Sequence, residues 1–552
     1  MLDVRDPDAE INRTTDPSAR PTASAAVRRR YSLSIDEVGA LRSQGNMVPI
    51  YREIMADMET PVSAYLKIAG GPYSFLLESV EGGERLARYS FLGTDPYLVV
   101  RLENGVAHAN QRGYKQAIAY DDPLVALQSF LAPYRAVPVP GLPRFLGGAV
   151  GYLSYEVVRS FETLPTAAND PHGFPDGVFM YLDTMLVFDH LERRIKVVSH
   201  VHLDDALPLE RAYEDAVERI EGLAARLHSG TARPPVTTLP LNAGPARERA
   251  VHNMDRATYD HMIQRAKEYI EAGDIFQVVL SQRLEVDTAA HPFNVYRAMR
   301  TINPSPFMFY VQVGDEQIIG ASPEALIRLD GRELTTHPIA GTRRRGANEE
   351  EDLALEAELA GDEKERAEHV MLVDLARNDI GRVAEPGTVR VPVLLRPERF
   401  SHVMHLVSHV TGQIRDGLTH VDALRACFPA GTVSGAPKIR AMQIVAELEP
   451  DQRGFYSGCV GYLAYSGNMD MALSLRTVAM RGSTVLLQAG GGIVYDSTAD
   501  FEYQETVNKM AAPMRAIDVA ETLERDEREA QLLSESVAAN AASLVSGSAV
   551  AR

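Results

Sequence analysis

Tryptophan is absent from this 552-residue chain, and cysteine nearly so, with Cys427 and Cys459 the only two. Two thiols in so long a chain neither staple a fold nor build a zinc site, which points to a reducing compartment, the cytoplasm. Positive charge is short as well: 75 acidic residues stand against 56 basic ones, a net charge of −19. Nucleic acid or an anionic membrane surface would need a basic face, so neither is expected as a partner. A small anionic substrate stays open, because a local cluster of Arg, Lys and backbone N–H groups can oppose the global sign. No apolar run approaches the roughly 18 residues of a spanning helix. The first residues, MLDVRDPDAEINR, are acidic and lack the apolar stretch of a signal peptide.

What remains is a globular balance, 45% hydrophobic and 24% charged residues, which excludes disorder or coiled coil for the bulk. The length suggests two to four domains or subdomains at roughly 150 residues each. Composition divides the chain into a mobile N-terminal tail (1–35), a first region (36–230), a Pro-rich linker (231–250), a second region (251–520) and an Ala/Ser-rich mobile C-terminal tail (521–552). The first region carries strand-like runs at Leu98–Leu102, Met185–Phe188 and Ile195–Val201 and a helical pattern at Leu209–Leu227. In the second, an amphipathic helix over Asp255–Ala272, stopped by Gly273, precedes strands at Gln277–Val286, Phe307–Val313 and Gln317–Gly320. GAVGYLSY (148–155) and GCVGYLAY (458–465) echo one another across the two regions. The echo is either chance recurrence of a strand-friendly string or the mark of two related sheet halves packed together.

The chemistry-bearing residues lie in the second region. A helix over Glu363–Arg377 puts Glu365 and Glu368 on one face, and a helix over Asp500–Ala516 repeats the spacing with Glu502 and Glu505, adding Lys509 one turn on. Each Glu pair alone reads as a solvated face; all four on facing helices would repel unless a cation joined them, and an all-oxygen set suits Mg²⁺. A di-iron site would need Glu-x-x-His on two helices, which is not present. Gly490, Gly491 and Gly492, after a strand over Thr484–Gln488, would let backbone N–H groups converge on an anion. GTVSGAPKIR, with Thr432, Ser434 and Pro437 in a helix's first turn, reads as a second anion site, without the spacing of a P-loop. A strand over Ala472–Val478 would set Ser474 and Arg476 on one face, Arg476 being either an ion-paired core residue or a carboxylate clamp. His405, between His402 and His409, is either a hydrogen-bonded core residue or a proton-transfer group.

DIFQVVLSQR, GASPEAL, HPIAGTRRRG, EHVMLVDLARNDIGR, GTVSGAPK, GYLAY and ETVNKM, in that order over about 252–515, together with PYSFLLESVEGGERLARYSFLG upstream, resemble the anthranilate synthase component I family of chorismate-utilising enzymes. Water-using relatives carry a Lys base where Gln277 stands, and aminodeoxychorismate synthases a nucleophilic Lys at the position of Ala340. The resemblance therefore implies direct attack of ammonia on chorismate, giving anthranilate and pyruvate through aminodeoxyisochorismate. It implies an α+β fold of two orthogonally packed antiparallel β-sheets flanked by helices. Mg²⁺ would be held by Glu368 and Glu505, with Glu365 and Glu502 supporting through water. Arg476, Tyr456 and the backbone at Gly490–Gly492 would take the enolpyruvyl carboxylate, and Gly341, Thr342, Thr432 and Lys509 would complete the substrate site. Glu324 is the implied acid for the leaving hydroxyl and His405 the proton carrier. LLES and NPSPFMF imply a tryptophan feedback site made by Leu77, Glu78, Ser79, Pro306, Phe307, Met308, Gly461 and Tyr462. Neither cysteine has a glutaminase context, so a separate glutamine amidotransferase subunit, anthranilate synthase component II, and a hetero-oligomer are expected. Aminodeoxyisochorismate synthase, aminodeoxychorismate synthase and a non-catalytic chorismate-binding relative are the alternatives.

Overall fold

The computed structural model describes residues 30–79, 88–139, 141–167, 169–204, 207–232, 234–236, 244–400 and 403–549. Most of the expected N-terminal tail, part of the linker and His402 lie outside the described residues.

Strands with near-complete burial, such as Gln277–Asp287 and Glu316–Ser322, cannot serve a one-faced sheet; they need cover on both sides. They find it in two 12-stranded sheets, every strand pair of which is antiparallel. Phe75, Tyr152, Phe309, Val311, Ile318 and Tyr462 fill the layer between the sheets. Outside the first sheet lie the helices Leu209–Ser229, Pro292–Ile302 and Ala499–Ala549, and outside the second Pro123–Leu131, Glu363–Gly381 and His420–Cys427. This is the expected α+β class. Among the described residues no helix is long and apolar enough to cross a membrane.

The helices begin where the sequence provides caps. Asp255 accepts from Thr258 N–H (2.8 Å), and Asp362 from Lys364 and Glu365 N–H (3.0 and 3.1 Å), satisfying donors that the first turn leaves orphaned. Gly273, at φ +82°, follows the first of these helices and turns the chain in a conformation that L side chains avoid.

Both sheets draw strands from both sequence regions. Tyr73–Glu78 pairs with Phe307–Val313 in one, and Gly148–Leu153 with Cys459–Ala464 in the other. The second junction is the sequence echo: the repeated strings are neighbouring strands, with Gly151 opposite Gly461. Their glycines are steric. A Cβ on Gly151 would stand 1.9 Å from the Val178 carbonyl oxygen, and one on Gly461 2.0 Å from that of Asp470.

Four local expectations are corrected. Ala472–Val478 is not one strand: Met469–Leu473 belongs to one sheet and Thr477–Arg481 to the other, and the chain crosses between them through Ser474–Arg476. Gly490–Gly492 do not follow a strand but lie within it, Thr484–Ile493, paired with Val279–Ser281. Pro437 caps the helix Lys438–Leu448 rather than entering its first turn. The helix expected to end at Ala516 runs to Ala549, so the C-terminal tail begins as buried structure. Glu521 accepts from Arg249 (2.9 Å) and Thr288 (2.7 Å), and Glu524 from Asn294 Nδ2 (2.9 Å) and the His291 N–H at the start of the Pro292–Ile302 helix. Composition hid this docking because it is polar. The linker's end is likewise pinned, Ala246 N–H donating to Asp518 (2.6 Å).

Replacing Gly151 by Ala should lower stability by about 1–3 kcal/mol or more, since only backbone lies in the way. A fall in the urea midpoint at unchanged slope is the expected result.

Candidate active site

The site forms where the Gln277–Asp287 and Thr484–Ile493 strands meet the Glu363–Gly381 and Ala499–Ala549 helices. Gly491 lies under the second helix: a Cβ there would be 2.9 Å from Oε2 of both Glu502 and Glu505. Gly490 and Gly492 face the other way, where a Cβ would meet the Tyr456 hydroxyl at 2.9 Å and Gln277 Nε2 at 2.6 Å. The three glycines therefore supply space around one strand rather than a free loop of N–H donors. Burial pushes the Tyr456 phenol up to about 12 against the opposing pull of Arg453, Ser457 and the Gly490 backbone.

Each of the four expected metal carboxylates has a partner. Glu368 Oε1 accepts from Gln277 Nε2 (2.7 Å), Glu502 Oε1 from Ser497 Oγ (2.7 Å), and Glu505 pairs with Lys509 (3.2 Å). Glu365 pairs with Arg343 (3.2 Å) and sits under the bulge at Gly341. Among the described residues no three His, Cys, Asp or Glu side chains converge closely enough to enclose an ion by themselves. The charges are nevertheless unbalanced. Burial raises the Glu368 carboxyl, with Glu365 and Glu505 adding repulsion, and burial with repulsion from Glu505 raises Glu502 to about 7. The donor set fits a hard divalent ion of the Mg²⁺ kind, which takes one or two protein carboxylates and fills its remaining positions with water and substrate oxygens.

Glu324 follows the Glu316–Ser322 strand and is buried. Its Oε1 accepts from Thr432 Oγ1 (2.9 Å). Desolvation raises its carboxyl to about 8 against the pull of Thr432 and Lys509, so it keeps a proton at neutral pH. His405 lies on the Val403–Gln413 strand opposite Thr342. Gly341, at φ +70° in a bulge, turns its carbonyl to His405 Nδ1 (2.9 Å), with Thr342 Oγ1 at 3.1 Å. Burial, together with the nearby cations of Arg476 and Lys509, lowers His405 to about 4 against the pull of the Gly341 carbonyl. The ring is thus neutral, Nδ1–H is committed to a carbonyl, and Nε2 carries the free lone pair. Arg476, at φ +47°, sits on the crossing between the sheets. Lys509 Nζ donates to the Gly490 carbonyl (2.8 Å).

The eight residues of the expected feedback site line a separate cavity of about 90 Å³, open to solvent, between the sheets. Tyr89, Phe91 and the ion pair Arg328–Asp470 (2.7 Å) also contribute to its wall. Glu78 accepts from Arg300 Nε (2.6 Å) and from the Tyr296 hydroxyl. Sequence reasoning missed Arg343, Ser497, Arg328 and Asp470 as site neighbours. Nothing in their local strings marks them, since each acts through a partner at least five residues away.

Residues 72–515 match the family model described as chorismate binding enzyme. The chain is 45% identical over 488 residues to anthranilate synthase component 1 of Acetivibrio thermocellus, covering 88% of this chain and 98% of that protein. It is 47% identical over 483 residues to that of Pseudomonas aeruginosa, covering 86% and 96%. Among solved structures, anthranilate synthase component I from Streptococcus pneumoniae superposes with a TM-score of 0.69 at 38% identity, covering 84% of this chain and 99% of that one. The menaquinone-specific isochorismate synthase of Escherichia coli, at 20% identity and a TM-score of 0.64 over 88% and 98% of the chains, shares the fold.

Because the Glu324 carboxyl is held protonated, the folded state binds more protons than the unfolded one between about pH 4.5 and 8. The native state therefore loses stability from this group as pH rises through that window. Glu324→Gln should gain stability relative to the wild type by up to about 4 kcal/mol between pH 5 and 9, measured by urea unfolding at both pH values. An equal difference at the two pH values would mean that the carboxyl titrates normally.

Proposed function

The chain belongs to the chorismate-binding enzymes, among the anthranilate synthase component 1 proteins, and from that premise we propose that it converts chorismate and ammonia to anthranilate, pyruvate and water, the first step of tryptophan biosynthesis. The observation that carries the reading is a buried, protonated Glu324 together with a neutral, oriented His405 in one site. Proton donor and proton acceptor are already in the required states.

Arg476, Tyr456 and Lys509 hold the substrate's carboxylates, and Thr432 fixes the Glu324 carboxyl. Glu324 gives its proton to the hydroxyl that leaves as ammonia adds to the ring. His405 Nε2 then takes the ring proton as the ring C–O bond to the enolpyruvyl group breaks, and that proton, returned to the methylene carbon of the leaving enolpyruvate, makes it pyruvate. Mg²⁺ at Glu368 and Glu505, with Glu365 and Glu502 behind them, would supply positive charge for the ring carboxylate and polarise the ring. Gln277 cannot activate water and Ala340 cannot form a covalent amine, which favours ammonia as nucleophile over the reactions of the isochorismate and aminodeoxychorismate synthases.

Ammonia has to come from another chain. Both cysteines are buried with thiol pKa values pushed up, the opposite of an activated nucleophile. A glutamine amidotransferase component is the proposed partner and the cytoplasm the proposed location. Tryptophan is the proposed inhibitor in the cavity bounded by Glu78, Met308 and Tyr462.

Purified protein with chorismate, Mg²⁺ and ammonium should produce anthranilate fluorescence. Accumulating aminodeoxyisochorismate instead would assign a synthase without lyase activity, and a 4-amino product the aminodeoxychorismate reaction. Glu324→Gln and His405→Met should each lower turnover by about 100-fold or more with the fold retained, read by steady-state kinetics and circular dichroism. Glutamine should replace ammonium only when the amidotransferase is added, and chelation of Mg²⁺ should abolish turnover. Activity unchanged by millimolar tryptophan would remove the feedback assignment.

A further inference from the structure

Arg453 has no surface in the site and no role in the chemistry above, yet it is 2% exposed and in contact with several site elements at once. Its five N–H donors meet five acceptors. Nε and Nη2 grip Glu449 (2.8 and 2.7 Å), Nη2 also reaches the Val279 carbonyl (2.7 Å), and Nη1 reaches the Val433 carbonyl (2.8 Å) and Ser457 Oγ (3.3 Å). Val433 follows Thr432, Ser457 follows Tyr456, and Val279 pairs with Gly492. The guanidinium carbon lies 5.6 Å from the Tyr456 ring centre and 4.8 Å from that of Tyr155, which comes from the N-terminal region. Glu449 accepts in turn from Ser281 N–H and Oγ, both at 2.8 Å, and is thereby fixed to the strand that carries Gln277.

We propose that Arg453, held by Glu449 and backed by the ring of Tyr155, is the positioning residue that sets Tyr456 and the Thr432 loop at the spacing that chorismate requires. The inference rests on the reading of Tyr456 and Thr432 as chorismate-binding groups. A planar fork with five donors matches this set of acceptors and a lysine with three cannot. Among the described residues the buried Tyr155 hydroxyl has no hydrogen-bond partner, so its contribution is the ring alone.

That orphaned hydroxyl provides the test. Tyr155→Phe keeps the ring and should match the wild type in melting temperature, kcat and the KM for chorismate. Tyr155→Leu should raise the KM for chorismate roughly fivefold or more, leaving the KM for ammonium within about twofold. Arg453→Lys should raise the chorismate KM further while kcat at saturating chorismate changes less. Tyr155→Leu that melts earlier but keeps a wild-type chorismate KM would overturn the proposal and leave Arg453 a stability residue. If Arg453→Lys does not fold, the two Tyr155 variants still decide. A wild-type protein that neither binds nor consumes chorismate would instead overturn the underlying reading.

Discussion

The structure depends on one seam, the antiparallel pairing of Gly148–Leu153 with Cys459–Ala464, where two backbones lie against their neighbours with no room for a side chain at Gly151 or Gly461. It joins the halves of one sheet and binds the N-terminal region to the site-bearing one. A buried carboxylate of the first sheet reinforces it from across the layer between the sheets. Glu316 accepts from the Tyr152 hydroxyl (2.8 Å) and Arg481 (2.8 Å), and Arg101 stands at 3.3 Å, so both regions converge on one negative charge. Such a charge is tolerated in the interior only when fully partnered. The seam also faces the cavity that holds Glu78 and Met308, since Gly461 and Tyr462 are part of its wall.

The carboxylates of the site are organised on a different principle. Glu316 and Glu449 are given cationic partners. Glu324 is instead buried beside a hydroxyl, and Glu368 and Glu502 each receive one neutral donor while facing other acids. Burial without a dedicated countercharge raises a carboxyl, which suits the acid role proposed for Glu324 and the cation proposed beside Glu368 and Glu502. The global deficit of positive charge is therefore concentrated at two levels: an acidic segment, Glu349–Glu368, with ten acids against two bases, and within it the two acids that face the site. The missing tryptophan also acquires a sense, as a chain assigned to making tryptophan could be translated when that amino acid is scarce.

Much of this was legible in the chain itself. Alternating or continuous apolar runs bounded by turn residues marked most strands, and Asp255 and Asp362 marked helix starts, because these signals act within a few residues. Glu-x-x-Glu, SPEAL, PIAGT and GYLAY pointed to the side chains proposed to carry the chemistry, and Gln277 and Ala340 to the proposed nucleophile. The strand break at Ser474–Arg476 was not legible. Its composition is that of a continuous strand, and only the need to change sheets forces Arg476 to a positive φ. The docked start of the C-terminal tail was hidden for the opposite reason, being held by Glu521 and Glu524 rather than by apolar residues.

The sequence by itself determined the inventory, the local elements and the family, since periodicity, capping and motif order are properties of neighbours along the chain. Protonation states and spacing were decided only by the tertiary structure. Glu324 keeps its proton because the fold removes water from it, His405 is neutral because burial and two cations oppose its charge, and the arginine proposed to fix Tyr456 has five acceptors from four separate stretches of chain. Desolvation and convergence depend on what packs around a group, and no local string encodes that.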